Sequence, residues 1–292
     1  MTKDKKLAFT GERFTPECVR EIWYEHYHRY AFAKRLIAGK TILDAACGEG
    51  YGSQILAENA KQVTGLDIDS ETVNHARSRY KKNNLKFVQG SCAELPFEDA
   101  SFDVIISFET LEHLEQQQEM LAEFSRVLNK DGILIISTPD KKHYSDATGF
   151  ENEFHVKELY REEFRQLLNS HWQHQLWYSQ AMAFSSIMEK IGGKKSIFAT
   201  DILDKGKLET DKKMLTSMYY IVIATKQQIT LPQLPDLHLF ADKQQSVYKH
   251  YNETIRDYIS VAEKYVALND KHQKWLSTPI LGKIIKFLER GK

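Results

Sequence analysis

The chain has 292 residues with 40 basic and 40 acidic side chains, so its formal net charge at neutral pH is zero. That balance leaves no electrostatic footprint for nucleic acid, which requires clustered excess Lys and Arg. Three scattered cysteines, Cys18, Cys47 and Cys92, argue against a disulfide framework or a zinc site and no metal is expected, while Met1 to Lys6 lacks the apolar core of a signal and no run reaches the roughly 20 apolar residues of a membrane span, so a cytoplasmic protein is expected.

In chain order, residues 1–39 read as a helical segment crowded with histidine and aromatics, Glu25-His26-Tyr27-His28-Arg29-Tyr30. From Lys40 short β-branched strands alternate with amphipathic helices: strand 41–45, helix 51–60, strand 62–67, helix 70–82, strand 85–89, strand 102–108, helix 115–129 and strand 132–138. This alternation predicts a doubly wound α/β domain, with a mostly parallel sheet, helices on both faces and a ligand at the carboxyl ends of the strands. A polar loop to about His155 leads to a helix over 156–169, a strand near 174–182 and a last strand from Met218 to Ala224.

Residues 184–215 are long for a connection and charge-rich from Asp201 to Lys213. They cap the substrate pocket or form a solvated insertion. Beyond Lys226, Pro232 and Pro235 mark a linker before a helix over 243–275, along which Tyr248, Tyr251, Ile255, Tyr258, Ala262 and Tyr265 recur at steps of three and four. That seam either packs back on the domain or pairs two chains as a homodimer. The tail 279–292 is a basic amphipathic helix that either docks on a neighbouring helix or touches the inner face of the membrane peripherally. The domains are therefore 1–39, 40–226 with its insertion, and 227–292.

The chemistry concentrates in Ile42-Leu43-Asp44-Ala45-Ala46-Cys47-Gly48-Glu49-Gly50-Tyr51-Gly52-Ser53, followed by Gly65-Leu66-Asp67-Ile68-Asp69. Gly48, Gly50 and Gly52 supply a tight strand-to-helix turn that brings bare backbone against a ligand. Asp67, at the end of the next strand, can accept hydrogen bonds from ribose hydroxyls. The glycines run G-x-G-x-G with Ser53 where a nicotinamide fingerprint has its third glycine. Asp44 would repel a pyrophosphate and suits a ligand carrying an amine.

Together with Phe87 to Phe97, Ser101 to Ser107, Glu123 to Leu128 and Asn129-Lys130-Asp131-Gly132, these segments resemble the class I S-adenosylmethionine-dependent methyltransferases over Lys40 to Pro139. The resemblance implies a seven-stranded Rossmann-like sheet with its last two strands antiparallel, and S-adenosyl-L-methionine as methyl donor. By motif it implies Asp44 toward the amine end, Ala46 where a third early glycine usually stands, Gly48 and Gly50 as backbone contacts, Asp67 on the ribose and Ile68 on the adenine face. Ser91 and Cys92 fall at the adenine rim, Ser91 standing where an aspartate is common. Phe108 and Tyr30 complete the expected cofactor set.

Proton acceptors are expected after the fourth strand or in the loop after the fifth. His113 is the first choice, because an imidazole titrates near neutrality. His155, near His143 and Tyr144, is second and Glu109 third. Thr10 to Pro16, the Glu25 to Ala33 run and Phe154 to Tyr160 resemble a subset of bacterial methyltransferases of surface-polysaccharide assembly. That subset implies O-methylation of a glycan hydroxyl or terminal phosphate, with His28, Arg29 and Tyr30 meeting the donor's carboxylate or the acceptor. A small-molecule methyltransferase acting on a quinone or other lipid-like acceptor shares the middle motifs and implies an apolar cleft. A non-catalytic cofactor-binding assembly protein is the third reading.

Overall fold

The computed structural model describes residues 21–183, 185, 201–204, 207–210, 216–280, 282–284 and 287. The Thr10 to Pro16 motif and Cys18 lie outside these residues, as do most of the 184–215 insertion and much of the 279–292 tail. In chain order the elements are α1 (Glu21–Ala33), β1 (Thr41–Ala45), α2 (Tyr51–Leu56), β2 (Gln62–Asp67), α3 (Ser70–Arg79), β3 (Leu85–Gln89), β4 (Phe102–Phe108), α4 (Gln117–Val127), β5 (Leu128–Pro139), α5 (Arg161–Asn169), β6 (His174–Gln180), β7 (Asp201–Asp204), β8 (Lys207–Thr210), β9 (Tyr219–Thr225) and α6 (Ser246–Ser277).

Seven strands form one sheet in the order β3-β2-β1-β4-β5-β9-β6. β1 to β5 run parallel, while β9 pairs antiparallel with both β5 and β6. This is the expected Rossmann-like methyltransferase sheet. Period-two side-chain alternation explains why such apolar strands form it. Ile42, Val63, Val104, Ile106, Ile135 and Ile223 point to one face, against Phe32, Ala33, Ile37 and Leu56. Leu43, Leu66, Ile105, Leu134, Ile136 and Val222 point to the other, against Met120, Phe124, Phe164 and Trp172.

Several helix ends differ from the expected ones, and the causes are long-range. α3 is opened by Asp69, whose carboxylate accepts from the Glu71 and Thr72 amides at 3.1 and 3.3 Å. It closes at Arg79 rather than 82, where Tyr80 turns extended and donates its hydroxyl to Glu49 at 2.6 Å. α5 begins at Arg161 rather than 156, because the Val156 and Lys157 amides donate to the Glu112 carbonyl at 2.8 and 3.0 Å.

The chain divides into two compact units, Met1–Phe240 and Ala241–Lys292. The second contains α6, 32 residues long with no buried side chain, and Tyr248, Tyr251, Ile255, Tyr258 and Tyr265 of the expected seam are all exposed. Among the described residues no helix is long and apolar enough to cross a membrane.

Candidate active site at the carboxyl ends of the strands

Strand order reverses between β1 and β4, so a crevice opens where the chain leaves these two strands. On its β1–β2 side Gly50 adopts φ +96°, a conformation natural to glycine, and a Cβ there would meet the Phe87 ring at 2.9 Å. Gly52 has a different task from the turn expected of it. It lies inside α2, and its missing Cβ makes room for the Tyr30 ring. Ala46, in the third early glycine position, is held at φ +56°, a strained conformation for a residue with a Cβ.

Asp67 is clamped at the end of β2: its Oδ2 accepts from the Gly48 amide at 2.9 Å and its Oδ1 from the Asp69 amide at 3.0 Å. The two amides fix the orientation of this carboxylate at the end of the strand. Beside it the Ile68 side chain is 70% exposed. Asp44 is buried and accepts from Ser53 at 2.6 Å and Tyr30 at 3.2 Å. Burial raises its pKa to about 7 against the pull of those two hydroxyls. Ser53, legible in the sequence only as a missing glycine, thus holds the Asp44 carboxyl group in place.

Glu49 points away from the crevice into a buried network with Arg79, His75 and Tyr80 at 2.6, 3.1 and 2.6 Å, which fastens the glycine turn to α3. Phe108 packs edge-on against Tyr30, ring centroids 5.1 Å apart. Ser91 is half-buried and accepts from the Ala93 amide at 3.1 Å. Cys47 and Cys92 are buried free thiols. Burial pushes both thiols up, Cys92 to about 12, which suits packing rather than nucleophilic chemistry.

The β4–β6 side is built from polar groups that come from distant parts of the chain. Glu109, the first residue after β4, is held at φ +50°, with its Oε1 accepting from Ser137 at 2.6 Å. Its Oε2 lies 3.5 Å from Nη2 of Arg29. Arg29 is 2% exposed, donates through Nε to Gln180 Oε1 at 2.9 Å and lies over the Tyr219 ring at 4.5 Å. Neither Nη1 nor Nη2 makes a hydrogen bond, and while Nη2 is ion-paired with Glu109, Nη1 is a buried donor without an acceptor, which costs stability. Glu25, one helical turn before Arg29, has its pKa raised to about 7, chiefly by burial.

Next along this wall Tyr144 lies between Tyr219 and His155, at centroid separations of 5.8 and 5.3 Å. His155 donates Nδ1 to Glu158 at 2.5 Å. His113 donates Nδ1 to the Phe154 carbonyl at 3.0 Å, and the two imidazoles meet edge-on at 5.0 Å. His143 is drawn aside to Asp140 at 2.6 Å. Glu112 is fully buried, accepts from Thr138 at 3.0 Å and has its pKa raised by burial and by Glu109. Glu25 and Arg29 belong to the histidine- and aromatic-rich run of the sequence, but nothing there links them to Gln180, Tyr219 or Glu112, which arrive from distant parts of the chain.

Residues 43–136 match the family described as a methyltransferase domain. A "Probable S-adenosylmethionine-dependent methyltransferase" of Mycolicibacterium smegmatis is 38% identical over 167 residues, covering 56% of this chain and 64% of that protein. A fatty-acid O-methyltransferase of the same organism is 35% identical over 111 residues, covering 37% of this chain and 40% of that protein. The chain thus spans less than two thirds of the length of these curated relatives. Among solved structures, a chain of the complex between the Haloferax volcanii Trm112 methyltransferase activator and a methyltransferase superposes with a TM-score of 0.53 at 20% identity, covering 71% of this chain and 90% of that one. This last likeness shows the fold.

Proposed function

We propose that this chain is an S-adenosylmethionine-dependent O-methyltransferase acting on a polar acceptor that carries an anionic group. The observation that carries the reading is the pairing of Asp44, buried and held by Ser53 and Tyr30, with Asp67, clamped by the Gly48 amide across the glycine turn. These groups fit the donor. Asp44 offers a carboxylate to its ammonium, Asp67 to its ribose, Gly50 bare backbone to its tail and the exposed Ile68 a face for its adenine. Bound there, S-adenosylmethionine supplies a methyl on a sulfonium, already a good leaving group.

What remains for the protein is to align the acceptor and to take its proton. Glu109 is assigned the proton. It opens the loop after β4, its backbone is held in a costly conformation of the kind found at working sites, and Ser137 and Arg29 fix its carboxylate. Arg29, whose Nη1 is buried without an acceptor while Nη2 faces Glu109, binds the acceptor's phosphate or carboxylate. His113 and His155 border the same space. Their Nδ1 atoms are both committed as donors, which orients the opposite nitrogen of each ring.

A polar wall of Arg29, Glu25, Glu109, Tyr144 and His155 favours a glycan hydroxyl or a sugar bearing a phosphate over a quinone. Surface-polysaccharide assembly in the cytoplasm is the proposed setting. Similarity to a fatty-acid O-methyltransferase supports a second reading, in which Arg29 receives a lipid carboxylate that is itself methylated. Incubation with S-adenosylmethionine and panels of acidic glycans or fatty acids, read by mass spectrometry, separates them. Methyl gain on neither panel, and none on neutral sugars, would remove the enzyme reading.

A further inference from the structure

The spacing of histidines, cysteines and acids along the chain offers no metal motif, yet the fold brings one together. Glu112 and His113 lie on a single 3₁₀ turn after β4, and His155 arrives from the loop before α5. Each of the three offers a ligand atom within 4.8 Å of the other two. We propose that Glu112, His113 and His155 form a binding site for one divalent transition-metal cation, of the zinc or manganese class, on the acceptor side of the crevice.

Three independent features support the site. Glu112 is fully buried, and while Thr138 donates to its Oε2, its Oε1 has no hydrogen-bond partner. A buried carboxylate oxygen without a donor is costly, and a cation supplies what the surrounding protein does not. That Oε1 lies 3.8 Å from Nε2 of His113, so the unpartnered atom points at the histidine pair.

The second feature is the orientation of the imidazoles. A metal-binding histidine donates its other ring nitrogen to a carbonyl or carboxylate, which fixes the tautomer and makes the ligating nitrogen more basic. Both arrangements occur here: His113 Nδ1 donates to the Phe154 carbonyl and His155 Nδ1 to Glu158. Glu158 is in turn held by Ser145 at 2.5 Å. The third is backbone tethering, since the Val156 and Lys157 amides donate to the Glu112 carbonyl and fasten the His155 loop to the Glu112 turn.

Two imidazoles and one carboxylate suit zinc, and also manganese or ferrous iron. Metal–ligand bonds of about 2.0–2.2 Å require the donor atoms to close by roughly an ångström, and the His113 side chain, 24% exposed, has room to move. Three protein ligands leave at least one position open. Resting on the methyltransferase reading, that position would receive the acceptor hydroxyl and lower its pKa, so that Glu109 takes the proton more readily.

The test uses the full chain stripped of metal and titrated by calorimetry with zinc and, separately, manganese chloride, alongside thermal unfolding. One site per chain and a raised Tm are expected for at least one of the two ions. His113→Ala and His155→Ala should each weaken binding by about 10²-fold or more, while Glu112→Gln, close in shape, should weaken it similarly without unfolding the protein. Glu158→Gln, which touches no metal, should cost about tenfold through His155 alone. No binding of either ion at about 100 μM, or binding indifferent to both histidine variants, would overturn the site. S-adenosylmethionine binding by the same stripped protein separates this failure from failure of the methyltransferase reading.

Discussion

The two sides of the crevice are assembled in opposite ways. On the β1–β2 side most groups belong to one strand–turn–helix–strand unit, from Asp44 to Asp69, with Tyr30 of α1 added to hold Asp44, and backbone does much of the work: the glycine turn and the amides that clamp Asp67. On the β4–β6 side the groups come from α1, the turn after β4, the segment after β5, the loop before α5 and strands β6 and β9, and nearly all are side chains. A local unit can bind one ligand in one way. A wall of side chains gathered from six places can be re-cut for a new acceptor while the sheet stays the same.

The sharpest way to break this division is to delete one group on each side and ask whether the effects cross. Glu109→Gln should lower turnover by about 10²- to 10³-fold with donor affinity unchanged, measured by steady-state kinetics and by calorimetry. Asp67→Ala should do the reverse, weakening the donor by about 10²-fold through loss of charge-assisted hydrogen bonds. Arg29→Met should raise KM for the acidic acceptor by about 10²-fold and leave the donor's Kd alone. If Arg29→Met instead weakens the donor, Arg29 belongs to the methionine carboxylate and the division fails at α1.

Proton linkage gives a smaller but more specific effect. The Asp44 pKa is raised to about 7 in the folded chain, so the acid is neutral below that pH and its charge is available to the donor's ammonium only above it. Donor affinity should therefore fall as pH drops through 7, by at most about tenfold per unit, and Asp44→Asn should flatten the profile. For the ligand-free protein the sign is opposite. A raised acid pKa stabilises the fold at low pH, and this contribution is lost as pH rises from about 4 toward 7. The smallest effect is expected at Ala46, where glycine would relieve the φ +56° strain. Ala46→Gly should leave stability unchanged or raise it by up to about 1 kcal/mol, read by denaturant unfolding.

The same contrast explains what was legible in the sequence. The central strands β1, β2, β4, β5 and β9 were legible because their residues are mostly apolar and buried on both faces, and Asp44, Gly48, Gly50 and Asp67 because a single βαβ unit keeps its residues close along the chain. The end of α3 was not, because it is set by the Tyr80 hydroxyl reaching Glu49, nor was the start of α5, set by amides that donate to the Glu112 carbonyl. Arg29 could be noticed beside Glu25, one turn away on α1, but not its seat over Tyr219 or its bond to Gln180. Glu112 looked like one more acid on a polar turn. Only the arrival of His155 beside it, across the fold, makes its unpartnered oxygen meaningful.

Whether the Asp44–Asp67 unit holds S-adenosylmethionine is decided by calorimetric titration of the full chain with that donor. One site per chain is expected, with a Kd in the micromolar range typical of cosubstrate sites, and loss of about 10²-fold in affinity for Asp67→Ala with none for Glu109→Gln. Absence of heat and of any thermal shift at millimolar donor, or equal binding by wild type and Asp67→Ala, would contradict the assignment.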